Sequence, residues 1–182
     1  LTSLQRFVIE NKSEDATIYI SKFSRLMRQF LEHSREDYNS IHEEMNAIKN
    51  YLLLQKIRYK EKFDYSVKLD NSPQREAYIP PMFAQPFVEN AIEHGFKRSI
   101  NNGEIEIVYE IKEDECIVTI TDNGSGYQEK SRDNNHKSLA TIITKERMDS
   151  LEKIYHKKIT LDVTSSDSGT KVTLALPLKQ SV

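Results

Sequence analysis

Five polar residues within positions 89–97 carry the side chains that phosphate and cation binding require. They are Glu89, Asn90, Glu93, His94 and Lys97. Asn90 and His94 are four residues apart, so they share one face if this stretch is helical. The amide oxygen of Asn90 suits a hard cation such as Mg²⁺, which prefers oxygen ligands and phosphate partners. The solvated edge of an ordinary amphipathic helix has a similar composition, so this stretch alone leaves both interpretations open.

The apolar residues around this polar group predict the helix that would position it. They recur at helical spacing on one side of the stretch: Phe83, Phe87, Val88, Ala91 and Ile92. This period gives a buried stripe. We expect Pro81 in the first helical turn, where the missing N–H of a proline costs nothing. The sequence therefore predicts a mostly buried helix with one polar edge.

A second candidate group stands at the end of a predicted strand over residues 115–122. Asp122 lies on the same face as the apolar residues at 116, 118 and 120. A carboxylate there is costly unless it is hydrogen-bonded, and an adenine amino group is a suitable donor. Gly124 and Gly126 allow a tight turn and the close approach of a ligand. A strand that ends in an Asn-Gly turn gives the same pattern, so this motif alone is weak evidence.

A third piece is Gly169-Thr170, which opens an alternating strand up to residue 176. In order and spacing, the three pieces resemble the N box, the G1 box and the last glycine motif of the GHKL, or Bergerat, ATP-binding domain. That superfamily includes histidine kinases, DNA gyrase, Hsp90 and MutL. The form Gln85-Pro-Phe-Val-Glu-Asn-Ala-Ile-Glu-His-Gly95 is most similar to LytS-type sensor histidine kinases, and the resemblance spans nearly the whole chain.

The resemblance implies that the N box binds the phosphates of ATP. Asn90 would hold Mg²⁺ between the phosphates, and Glu89 would orient that ion or a water molecule. His94 and Lys97 would approach the phosphates themselves. These residues would then serve an in-line phosphoryl transfer by positioning and charge neutralisation.

The resemblance also implies how the base is recognised. Asp122 would accept a hydrogen bond from the N6 amino group of adenine and so determine the preference for adenine. Gly124 and Gly126 would shape the base pocket and the hinge of the ATP lid. Gly169 belongs to the last glycine motif, and Thr170 would add a hydrogen bond near the base.

Residues 123–137 are polar and aperiodic, and they fall where the superfamily carries its ATP lid. The charge candidates in this segment are Lys130, Arg132 and Lys137. For each of them a solvated loop residue is an equal alternative. The family usually ends its lid with G-x-G-L, whereas this chain has Ser138-Leu139-Ala140. A side chain would therefore stand where bare backbone usually meets phosphate.

The first part of the chain predicts two long helices. Residues 14–35 carry an apolar stripe, and Ser40-Ile-His-Glu43 is a capping box that begins the second helix. Its apolar positions follow a nearly heptad seam that includes Ile41, Met45, Ile48 and Leu52. We expect an antiparallel hairpin that dimerises into a four-helix bundle, because two helices alone leave apolar surface uncovered. A helical subdomain docked on the rest of the chain is the alternative.

The predicted class is α+β, with a helical dimerisation region at 1–62 and an ATP-binding α/β sandwich at 63–182. Strands are expected at 64–70, 104–111, 116–121, 159–163 and 171–176, with a polar loop at 71–78 and a helix at 139–155. They would form a mixed sheet covered on one face by helices.

Composition excludes several other classes. The net charge of −2 gives no basic footprint for nucleic acid. No apolar run reaches the roughly 18 residues of a membrane span. The single cysteine, Cys116, excludes a disulfide scaffold. Because the first residue is Leu rather than Met, we expect a fragment of a longer chain. The resemblance implies that this fragment is the cytoplasmic catalytic part of a sensor, anchored in the membrane only through parts missing here.

By resemblance, the chain would transfer the γ-phosphate of ATP to a histidine and then to an aspartate of a response regulator, for which a LytTR-type regulator is a candidate, as a homodimer in a two-component system. The LytS-type acceptor, a His followed by Phe-Leu-Phe-Asn, is expected upstream of residue 1, so this fragment should not autophosphorylate. His33 and His42 are weaker acceptor candidates. The alternatives are a nucleotide-gated dimerisation module, in which the lid-end motif at Ser138-Leu139-Ala140 (the G2 box) has decayed, and, more weakly, a hydrolytic GHKL ATPase.

Overall fold

The structure is a computed structural model that describes residues 13–33, 36–59, 62–70, 76–96, 102–126, 146, 148–153 and 157–180. The predicted α+β class is confirmed, since helices precede a sheet-containing domain. Part of the helix expected over 139–155 is described, with helical backbone at 146 and 148–153. The remainder of that helix, and any helix before residue 13, lie outside the described residues. No helix in the described ranges is long and apolar enough to cross a membrane.

The N-terminal part forms a helical hairpin of α1 (Ser13–His33) and α2 (Ile41–Arg58). The predicted capping box at the start of α2 is confirmed, because Ser40 Oγ accepts from Glu43 N at 3.2 Å and Ser40 N donates to Glu43 Oε2 at 3.1 Å. The two helices are also joined by a hydrogen bond from Asn50 Nδ2 to Gln29 Oε1 at 2.9 Å. Local sequence signals were thus sufficient to place this hairpin.

The apolar seam of α2 is covered by the chain's own core. Met45, Ile48 and Leu52 are 7%, 3% and 0% exposed and belong to one buried cluster with the sheet residues. The expectation that this seam faces a second chain is therefore wrong, because the same residues cover the sheet domain. For α2, the alternative of a helix docked on the rest of the chain is correct.

The main sheet has five strands, which are, in their order across the sheet, β2 (Phe63–Asp70), β4 (Gly103–Ile111), β5 (Glu115–Asp122), β7 (Gly169–Pro177) and β6 (Thr160–Ser166). β2 pairs with β4 in parallel, and the other pairs are antiparallel, as expected for a mixed sheet. Tyr109, Val118 and Leu174 are register partners across three strands and are 1%, 0% and 0% exposed, so one face of the sheet is the core.

A second, three-stranded sheet lies outside the sequence prediction. It joins β1 (Asn39–Ser40), β3 (Ala77–Ile79) and β8 (Lys179–Gln180) in the order β1-β3-β8. Residues 77 and 78 were expected in a polar loop, which is wrong. Strands this short carry no usable period, and their pairing partners are remote in the chain. The small sheet ties the start of α2 to the segment before the N box.

The N-box helix α3 (Gln85–Asn90) begins later than expected and continues as a π-helical turn over Ala91–Gly95. Pro81 lies in the preceding turn, and Pro86 occupies the first helical turn instead. Either proline would suit the first turn of a helix, so the prediction that placed Pro81 there was wrong. The predicted buried stripe is confirmed, since Phe87, Val88 and Ile92 are all buried.

Candidate functional site

Asp122 is a buried carboxylate at the end of β5, as the sequence predicts. It is 8% exposed and shares the buried face of its strand. Its Oδ1 accepts a hydrogen bond from the backbone N–H of Gly124 at 2.8 Å. Burial raises the pKa of Asp122, while hydrogen bonds from the backbone N–H groups of Gly124 and Thr170 act in the opposite direction. The protein therefore stabilises this carboxylate only in part.

The turn after Asp122 is anchored to the start of β4 by Asn123. Its Oδ1 accepts from Glu104 N at 2.7 Å, and its Nδ2 donates to Asn102 O at 3.0 Å. These bonds fix the backbone from which the Asp122 side chain projects. From the sequence, Asn123 is only a turn residue, and its side-chain role depends on the pairing of β4 with β5.

The N-box helix ends directly against this turn. A Cβ on Gly124 would lie 2.6 Å from Gly95 Cα, closer than real Cβ contacts come. A backbone hydrogen bond from Ser125 N to Gly95 O, at 3.2 Å, joins the same two segments. Gly124 is therefore required by the contact of two backbones within the protein, in addition to the ligand approach that the sequence predicts.

The remaining glycine motifs close the same region from the side of the β6–β7 hairpin. Gly126 has φ +63°, and a Cβ there would lie 1.8 Å from Ser166 O. Gly169 has φ +133°, and a Cβ there would lie 1.9 Å from Asp122 O. Both conformations favour glycine. The predicted G1 and last glycine motifs thus meet around the end of β5.

Glu89 and Asn90 are half-buried at the end of α3, on the polar edge that the sequence predicts. Gln85 Nε2 donates to Glu89 Oε1 at 2.8 Å, which holds that carboxylate along its own helix. Burial, followed by the charges of Glu89 and Glu93, raises the pKa of Tyr51 in α2. The acidic edge of the N box therefore lies close to α2.

The structure brings together the ends of the N box, the G1 turn and the last glycine motif. The backbone of His94 lies in the π-helical turn. The His94 side chain, Lys97 and Lys137 lie outside the described residues, as do the lid and the Ser138-Leu139-Ala140 segment. Among the described residues, no group of three or more His, Cys, Asp or Glu could hold a metal ion. The half-buried Asn90 amide next to Glu89 fits a Mg²⁺ ion that takes its other oxygen ligands from phosphates and water.

Comparisons with protein families agree with this arrangement. Residues 1–63 match the family described as histidine kinase. Residues 83–180 match the family described as histidine kinase-, DNA gyrase B- and HSP90-like ATPase. The second match includes the three motifs that surround Asp122.

Curated relatives include the sensor protein LytS of Staphylococcus epidermidis, 29% identical over 93% of this chain and 29% of its own length. The sensor histidine kinase/phosphatase LytS of Staphylococcus aureus is 27% identical over 95% of this chain and 31% of its own length. The chain thus spans under a third of the length of these relatives. The predicted resemblance to LytS-type sensor histidine kinases is confirmed.

Solved structures share the fold at low identity. The histidine kinase domain of the Erythrobacter litoralis blue-light activated histidine kinase matches with a TM-score of 0.56 and 15% identity, over 93% of this chain and 82% of that one. A histidine kinase ThkA in complex with the response regulator protein TrrA matches with a TM-score of 0.54 and 17% identity, over 89% of this chain and 49% of that one. Because the ATPase family model covers more than half of the sequence, this chain belongs to the histidine kinase-, DNA gyrase B- and HSP90-like ATPase family.

Proposed function

We propose that this chain is the ATP-binding catalytic part of a two-component sensor histidine kinase. It binds ATP with Mg²⁺ and supports transfer of the γ-phosphate to a histidine, and then to an aspartate of a response regulator. The observation that carries the proposal is the buried Asp122 carboxylate at the junction of the N box and the two glycine motifs.

Adenine recognition is assigned to Asp122. Gly124 N–H occupies Oδ1, and a carboxylate with two oxygens retains acceptor capacity for the adenine amino group. Gly124, Gly126 and Gly169 hold the surrounding backbone in place, and Thr170, the partner of Asp122 in the β5–β7 register, is half-buried beside it. This arrangement gives a rigid acceptor for a base.

Phosphate binding is assigned to the N box and to the lid. Asn90 is the proposed Mg²⁺ ligand, and Glu89 orients the ion or a water molecule. His94, Lys97 and Lys137 are proposed to contact the phosphates. When bound, Mg²⁺ neutralises phosphate charge during the transfer. The residues of this chain hold the nucleotide in line with its acceptor.

Dimerisation is proposed to use α1, within a helical region at 1–62 that precedes the ATP-binding region at 63–182. α1 exposes a set of large apolar side chains with exposed fractions from 37% to 65%: Ile18, Ile20, Phe23, Met27 and Leu31. Four of them follow steps of three, four and four residues, as one helix face requires. A second copy of α1 would cover this face, while α2 remains packed on the sheet domain.

The acceptor and the partner are proposed from the resemblance to LytS-type kinases. The acceptor would be a histidine that precedes residue 1, on a longer chain anchored in the membrane. His42 is exposed in the first turn of α2, and its neighbour Glu43 is engaged in the capping box. The capping box therefore explains why Glu43 is present, without any role in phosphotransfer. The partner would be a response regulator, as in the ThkA–TrrA complex, and specifically of LytTR type.

One feature of the sequence favours an alternative function. Ser138 and Ala140 stand where the family usually has glycines, which would weaken the anchoring of the triphosphate. In that case the chain would be a nucleotide-binding dimerisation module with little kinase activity.

Incubation with γ-labelled ATP and Mg²⁺ separates these functions. The 182-residue chain should remain unlabelled, whereas a longer natural chain should acquire acid-labile label that passes to a response regulator. Nucleotide binding by the longer chain without any label would favour the dimerisation module. Stoichiometric label on His33 or His42 would show that the acceptor is wrongly assigned.

A further inference from the structure

Glu44 is a buried carboxylate that sequence analysis did not single out. It is 3% exposed in the first turn of α2. Its Oε1 accepts from Asn39 Nδ2 at 3.0 Å, and its Oε2 accepts from Met82 N at 2.8 Å. A buried carboxylate is costly unless it is hydrogen-bonded, and these two donors offset that cost for Glu44. The sequence contains an indication that Glu44 is buried, because it lies on the apolar stripe between Ile41 and Ile48.

The bond to Met82 acts on the turn that precedes the N box. Met82 has φ 60°, a left-handed conformation that is uncommon for a residue other than glycine. The helix α3 begins three residues later, at Gln85. Its N-cap residue, Ala84, forms no side-chain capping bond. The direction in which α3 leaves the turn is therefore not set by a cap of its own.

The bond to Asn39 closes a ring of contacts around the same turn. Asn39 in β1 pairs with Ile79 in β3, and the chain runs from β3 directly into the Met82 turn. Glu44 thus holds β1 with one oxygen and the turn after β3 with the other. Two points of attachment, rather than one, determine the position of the turn relative to α2.

We propose that Glu44 is a positioning residue for the N box, which fixes the start of α3 and so the placement of Asn90 at its end. This inference rests on the proposed function, since the N box matters through its bound nucleotide. Glu44 itself is distant in sequence from the G1 and glycine motifs and acts through Met82. Small displacements of a binding group from its productive geometry have large effects on function.

The chain offers a matched control at the neighbouring position. Glu43→Ala removes the carboxylate of the capping box and leaves both bonds of Glu44 intact. Glu44→Ala removes the acceptor for Met82 N–H and for Asn39. Glu44→Gln retains an oxygen for Met82 N–H and is the conservative variant.

A paired substitution supplies a rescue. Asn39→Asp alone places a second carboxylate against Glu44. Asn39→Asp combined with Glu44→Gln restores a donor between the two side chains, with the amide nitrogen now on position 44. The amide oxygen then remains available to Met82 N–H.

The experiment measures Mg-ADP affinity by calorimetry and amide hydrogen exchange of residues 85–95 without nucleotide, on the 182-residue chain. Glu44→Ala should weaken affinity about tenfold and accelerate exchange in this segment, whereas Glu43→Ala with a similar loss of melting temperature should do neither. The double variant should recover affinity and exchange protection relative to Asn39→Asp.

Equal affinity and equal exchange in Glu44→Ala and Glu43→Ala would overturn the proposal, as would a failure of the double variant to recover. If the wild-type chain binds no nucleotide, the proposed function fails. Hydrogen exchange in the N-box segment then still decides whether Glu44 positions α3.

Discussion

Asp122→Asn separates the role of this residue in binding from its role in folding. The oxygen of the new amide can still accept from Gly124 N–H, which lies 2.8 Å from Oδ1 in the native side chain. That orientation turns the amide nitrogen toward the adenine amino group, donor against donor. Loss of a hydrogen bond to a charged acceptor costs about 1.5–3 kcal/mol. Nucleotide binding should therefore weaken about 10- to 150-fold.

The same substitution should change the stability of the fold only a little. Burial raises the pKa of Asp122 above its ordinary value of 3.8, so the native state binds protons more readily than the unfolded state. The stability of the protein consequently falls as the pH rises from 3.8, the ordinary pKa, through the raised pKa of the folded state. At neutral pH the charged carboxylate is therefore a net cost to stability. Asn at this position removes that cost but leaves one acceptor oxygen instead of two for the backbone N–H groups of Gly124 and Thr170, so the melting temperature should change little.

Calorimetric titration with Mg-ADP and thermal unfolding, both at neutral pH, measure the two quantities. Asp162→Asn makes the same chemical change on the exposed side of β6 and serves as the control. Unchanged affinity in Asp122→Asn would refute adenine recognition by this residue. Weaker binding together with a large loss of stability would refute the separation of the two roles.

Three further predictions follow from packing. Gly124→Ala should destabilise the fold by about 1–3 kcal/mol in denaturant unfolding, because the added Cβ would lie 2.6 Å from Gly95 Cα. Tyr109→Phe should leave stability unchanged or raise it by about 1 kcal/mol in the same assay, because the buried Tyr109 hydroxyl has no hydrogen-bond partner among the residues that the structure describes. Phe23→Glu with Leu31→Glu should convert a dimer to a monomer in sedimentation, because both side chains are exposed on α1.

Each of these has a contradicting result. A fully stable Gly124→Ala protein would mean that the two backbones separate easily. A loss of several kcal/mol in Tyr109→Phe would mean that the hydroxyl is satisfied, since such losses accompany broken buried hydrogen bonds. A dimer that survives the α1 substitutions, or one that Val163→Glu on the exposed strand β6 disrupts equally, would place the dimer contact elsewhere.

Features of the chain with a local or periodic signal were predictable from sequence. The capping box determined the start of α2, and alternation placed Asp122 on the buried face of β5. The spacing of the N, G1 and last glycine motifs identified the family, because each motif is contiguous in the chain. These signals depend on neighbours in sequence and need no knowledge of tertiary structure.

Features that depend on long-range pairing were not predictable. The strand β3 has three residues and exists through its pairing with β1 and β8, both remote in sequence. Glycine is required at position 124 because its backbone contacts Gly95 after α3, and this contact exists only in the folded chain. The seam of α2 had the period of a dimer contact, and a period cannot tell whether the covering surface belongs to the same chain or to another.

Competitive calorimetry with Mg-ATP and Mg-GTP tests the central claim most directly. In the proposed site an adenine amino group would donate to the Asp122 carboxylate, whereas guanine carries a carbonyl oxygen at that position, which the carboxylate would repel. We predict saturable binding of one ATP per chain and GTP binding weaker by at least about tenfold. Equal binding of the two nucleotides, or no saturable ATP binding, would contradict it.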